Sequence, residues 1–116
     1  MAGLSTKAVE DSRNSAIKKT FNCSYNDCHN KIMASLKRYG SYVYAQDFKK
    51  KMLAIYVSDE DTTPVGIFFK VVDDNNTEIQ VSSSSTYAKE FIAKRISKAL
   101  EPQKEKGESD AENTDK

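Results

Sequence analysis

Oily side chains change their spacing twice along this chain, and those changes restrict the fold more than any other feature. From residue 41 to 84 they recur at every second position: Tyr42, Tyr44 and Phe48, then Leu53, Ile55 and Val57, then Val65, Ile67, Phe69 and Val71, then Ile79 and Val81. A period of two puts alternate side chains on one face of an extended strand, so four strands are predicted here. Their connections are Phe48-Lys49-Lys50-Lys51, Asp59 to Pro64 and Asp73-Asp74-Asn75-Asn76. Such short polar turns join antiparallel neighbours, because a parallel crossover needs a dozen residues or more.

On either side the spacing is three and four. Ser24-Tyr25-Asn26-Asp27 has the form of a helix N-cap followed by an acid, and Tyr25, Cys28, Ile32, Leu36 and Tyr39 form one stripe until Gly40 stops it. After Ser82 to Thr86, which supply several caps, Ala88, Phe91, Ile92, Ile96, Ala99 and Leu100 form a second stripe ending at Pro102. Ahead of the first helix, Ile17, Phe21 and Cys23 share the parity of a half-buried strand. The order is therefore β-α-β-β-β-β-α, a two-layer α+β domain in which an antiparallel sheet of about five strands carries two helices on one face. Each helix has a single apolar stripe, and covering a common face is the way both can shed it.

The domain is expected over residues 16–100. Residues 1–15 have few apolar positions (Leu4, Ala8, Val9) and read as a flexible N-terminal tether; residues 101–116 hold six acidic groups against three basic and read as a disordered acidic tail. Residues 1–100 carry fifteen Lys/Arg against eleven Asp/Glu, too slight an excess for a nucleic-acid binder. No run approaches the ~18 apolar residues that cross a bilayer, and the start has no charged-then-apolar signal layout.

Cys23 and Cys28 span the expected strand-to-helix corner, and three arrangements compete. A disulfide there would stabilise the fold by about 2 kcal/mol on the chain-entropy estimate; two reduced thiols would act as small core residues; zinc would recruit His29 as a third ligand. A structural zinc wants four N/S ligands, and Cys28 and His29 diverge by about 100° on a helix, so no metal is expected. The acids Asp59, Glu60 and Asp61 fall at one end of the meander and Asp73 and Asp74 at the other, so they cannot converge on a site. Lys49, Lys50 and Lys51 share the latter end and suggest surface ion pairs. Tyr42, Tyr44, Tyr56 and Phe68 could form a base-stacking face, but core or subunit contact is the expected use. There is no Gly-rich phosphate loop, no Ser nucleophile elbow and no repeat. No cofactor and no catalytic residue is expected.

Two stretches carry a resemblance: Ser24 to Gly40, ending Leu36-Lys37-Arg38-Tyr39-Gly40, and Thr77 to Ser83 followed by Tyr87-Ala88-Lys89-Glu90-Phe91-Ile92-Ala93 and Leu100. They make residues 17–100 similar to the domains of small uncharacterised bacterial periplasmic lipoproteins with a helix-grip topology, in which two helices grip an antiparallel sheet. Similar domains occur in a lipoprotein subunit of the outer-membrane barrel assembly machine, where the role is protein interaction. The resemblance implies a non-catalytic envelope protein of the periplasm, with a protein partner, no nucleic acid, and a membrane link only through an N-terminal lipid. Ala2-Gly3-Leu4-Ser5 then reads as the start of a tether, with Met1 standing where a lipidated cysteine would be; a cytoplasmic location is the alternative. A second expectation, from the residues themselves, is a carrier of a small apolar ligand held between helices and sheet by Tyr25, Ile32, Leu36, Phe69, Phe91 and Ile96.

Overall fold

A computed structural model describes residues 7–101; the leading residues of the expected tether and the tail from residue 102 onward lie outside the described residues. The chain runs α1 (Lys7–Asp11), a 3-10 turn (Ser12–Ser15), β1 (Ile17–Phe21), α2 (Tyr25–Arg38), β2 (Tyr42–Asp47), β3 (Met52–Tyr56), β4 (Pro64–Asp73), β5 (Asn76–Ser82) and α3 (Thr86–Leu100). The strands form one sheet in the order β1-β5-β4-β3-β2, every neighbouring pair antiparallel. β1 and β2 are its two edges.

The helix boundaries follow from local chemistry. Ser24 Oγ accepts the Asp27 amide at 3.2 Å, and Ser85 Oγ accepts the Ala88 amide at 3.1 Å, each satisfying one donor that the first helical turn leaves open. Gly40 ends α2 at a φ of +76°, where an L side chain would be strained. Cys28, Ile32 and Leu36 of α2 and Ala88, Ile92, Ile96 and Leu100 of α3 pack with Leu53, Ile55, Val65, Ile67, Phe69, Ile79 and Val81 into one buried cluster. Both helices thus cover the same face, as their single stripes require.

The other face of the sheet is not left to solvent. Val9 of α1 is 1% exposed and sits directly over Gly66 of β4, where an added Cβ would lie 2.9 Å from the Val9 Cβ. The Arg13 guanidinium lies 4.1 Å from the centroid of Phe68 while its Nε donates to Gln80 Oε1 at 2.8 Å. Ser82 Oγ donates to the Val9 carbonyl. This corrects the tether expected over residues 1–15: residues 7–15 form a third, short helix and a 3-10 turn, packed on Gly66 and Phe68 of β4. One valine gives no periodic signal, and its socket exists only because Gly66 lacks a side chain.

Two strand readings also shift. The pairing of β2 with β3 slips between Val43 and Ala45, so parity reverses at Tyr44 and the helix-facing positions are Val43 and Gln46. Phe48 falls in the turn beyond β2 and is 69% exposed. Val71 keeps its parity but is exposed, because the β4–β5 hairpin runs past the end of β3. Of the groups expected to form surface ion pairs between Lys49–Lys51 and Asp73–Asp74, Lys50 pairs with Glu10 at 3.2 Å, and the Asp73 carboxylate accepts from the Asn75 amide at 2.9 Å and from the Asn76 side chain.

Candidate functional site

The strand-to-helix corner is closed by a disulfide between Cys23 and Cys28, with Cα atoms 5.8 Å apart. Of the three arrangements open at the sequence level, this is the one formed. Cys28 is fully buried, and the Cys23 carbonyl accepts the Thr77 hydroxyl at 3.0 Å, so the corner is fastened to β5 as well. Replacing both cysteines with alanine is expected to lower stability by about 2 kcal/mol, the loop-closure entropy the bond removes from the unfolded chain, read as a lower urea midpoint.

His29, on α2, meets an amide and three aromatic rings. Its Nε2 lies 3.2 Å from Gln46 Nε2, and its ring sits 5.8 Å from Tyr25, 5.6 Å from Phe69 and 6.3 Å from Phe48. Among the described residues no three His, Cys, Asp or Glu side chains gather as a metal site. The acidic turns are solvated and internally bonded: the Thr63 hydroxyl and amide hold the Asp61 carboxyl below its ordinary pKa, and the Asn75 amide with the Asn76 side chain does the same for Asp73.

The six residues expected to line an apolar-ligand cavity do not line one together. Ile32, Leu36, Phe69 and Ile96 are buried in the shared cluster, with Tyr25 and Phe91 packed against it. Of the six, Ile96 borders a space of about 30 Å³ between α3 and the sheet, about room for one water. Phe91 borders the first of the surface grooves described next, so the six side chains are divided between the packed cluster and the surface.

Two larger surface grooves involve α3. The first, of about 450 Å³, lies between α3 and the edge strand β1, floored by Ile17, Phe91 and Ala93 and flanked by Tyr87, Glu90 and Lys94. Tyr87 is 70% exposed and stacks on Phe91 with centroids 5.8 Å apart and planes 11° apart. The second, of about 580 Å³, lies between α2 and α3 and is lined by Lys31, Ser35, Arg38, Tyr39, Arg95 and Lys98 among others, none of them acidic. Phe91 borders the first groove alone, and its ring backs the Arg95 guanidinium of the second at 4.3 Å from its centroid.

Sequence reasoning singles out Phe91 but not Tyr87, Ile17 or the four cations. The usable signals were Tyr87 and Phe91 four residues apart with Tyr87 off the buried stripe, and Lys31 and Arg38 seven apart on one side of α2. What no spacing reveals is that Arg95 and Arg38 meet Tyr39 from two different helices, at 4.4 and 5.8 Å. The chain matches no protein-family model and no curated protein.

Proposed function

We propose that this domain is a non-catalytic interaction module of the bacterial cell envelope, exported to the periplasm, held at a membrane by an N-terminal lipid, and built to take an extended segment of a protein partner along β1. The observation that carries this is the juxtaposition of an edge strand with an apolar groove. β1 is paired on one side only, so a row of its backbone donors and acceptors has no strand partner among the described residues. A strand added there gains main-chain hydrogen bonds, and its inward side chains enter the space over Ile17 and Phe91 beside the exposed Tyr87 ring. Lys18 at the same edge, beside Lys19 whose ammonium is paired with Glu101, discourages pairing between two copies. The disulfide supports export, since such bonds persist in oxidising compartments.

The test is a selection of displayed random peptides against the full chain. Selected peptides are expected to alternate apolar residues, to shift the amide resonances of Ile17–Phe21, and to lose affinity by roughly tenfold with Tyr87→Ser, a change at an exposed ring that leaves the core alone. Peptides that bind but leave β1 unshifted would overturn the site. Recovery of the native protein from the cytosol with both thiols reduced would overturn the compartment.

A further inference from the structure

Arg95 is held in an arrangement that its own chain does not explain. Its guanidinium carbon lies 4.4 Å from the Tyr39 centroid and 4.3 Å from that of Phe91, so two aromatic rings hold the group in place. Its Nη1 is shut off from solvent and meets no hydrogen-bond acceptor among the described residues. That nitrogen is closed to a ligand as it is to water, so the donors that can serve the groove between α2 and α3, which Arg95 lines, are the remaining N–H groups of the fork.

Around it the groove between α2 and α3 collects Lys31, Arg38 and Lys98, with no carboxylate among its lining residues. Basic residues near helix C-termini have an ordinary use, complementing the negative end of the helix, and Arg38 and Lys98 stand in the last turns of α2 and α3. That use does not extend to Lys31, which is mid-helix. Four cations with one pre-fixed guanidinium fork call for an acceptor with several oxygens and more than one negative charge. A phosphate monoester has both, while a single carboxylate leaves most of the positive charge unanswered. The volume, about 580 Å³, suits a small molecule or a headgroup.

We infer that the groove between α2 and α3 binds a phosphate monoester, with Arg95 as its principal donor and Lys31, Arg38 and Lys98 as its charge partners. This site is separate from the peptide groove over β1, and neither proposal depends on the other.

The experiment is an NMR titration of the full chain with inorganic phosphate, against sodium chloride at matched ionic strength. Phosphate is expected to move the Arg95 Nε–H and the Tyr39 ring resonances saturably while chloride does not, and Arg95→Gln is expected to weaken the binding by roughly tenfold or more. Lys49→Gln, in the β2–β3 turn, leaves it unchanged. Should Arg95→Gln not fold, the Lys31→Gln/Lys98→Gln double variant, at two exposed positions, replaces it with the same expected loss. Equal shifts with chloride, shifts spread evenly over all lysines, or unchanged affinity in the variant would each overturn the inference. Two sources of the phosphate group are separated by vesicles of phosphatidylcholine containing phosphatidic acid. Sedimentation with them that phosphate reverses identifies a lipid headgroup; saturation by phosphate without sedimentation identifies a free monoester.

Discussion

Phe68→Ala is expected to destabilise the protein by about 3–5 kcal/mol, the usual cost of emptying a fully enclosed aromatic site. Phe68 is 1% exposed although it points away from both long helices, because α1 and the 3-10 turn cover it. Three things are lost together: the ring's buried area, the Arg13 guanidinium stacked 4.1 Å from it, and the platform beside Gly66 on which Val9 rests. Domains of this size are stable by roughly 5–15 kcal/mol in total, so the loss is a large share. Urea unfolding of the variant measures it. A cost below about 1 kcal/mol, typical of a surface change, would mean that the second face is solvent-exposed and that the N-terminal segment does not rest on it.

Ile92→Ala is the matching test on the opposite face. Ile92 is fully buried in the cluster that joins α3 to the sheet, and truncating such a side chain costs about 2–5 kcal/mol, depending on how far the neighbours relax into the space. Because Phe68 and Ile92 lie on opposite sides of the sheet and share no cluster, the two losses are expected to add within about 0.5 kcal/mol. Strong non-additivity in a double variant would show that the two faces communicate through the strands. The measurement is a urea midpoint at constant slope for each variant and for the pair.

The sequence carried the layering well because its signals are local. Ser24 and Ser85 cap the helices they precede, Gly40 takes the left-handed conformation its position demands, and five strands appear where the period is two. It carried the N-terminal segment poorly. The socket for Val9 is made by Gly66, more than fifty residues away, and a lone valine has no period to detect. The parity reversal at Tyr44 was hidden for a related reason: a bulge is a property of the pairing with β3, not of the β2 sequence.

The candidate sites were less legible than the fold. Cys23 and Cys28 could be named from spacing, but whether they pair depends on the turn that brings their Cα atoms to 5.8 Å. The apolar-ligand residues were chosen from stripes, and stripes describe what is buried, so Ile32, Leu36, Phe69 and Ile96 proved to be packing. The grooves depend on which helix lies beside which strand. Ile17 and Tyr87 are seventy residues apart in the chain, and no periodicity links them.

The position of α1 sets the orientation of everything else. It lies beneath the sheet, on the side opposite α2 and α3, while both grooves open on the helical side. With that side of β4 roofed by Val9 and Arg13, a molecule that meets Tyr87, Phe91 or Arg95 has to come from above the long helices.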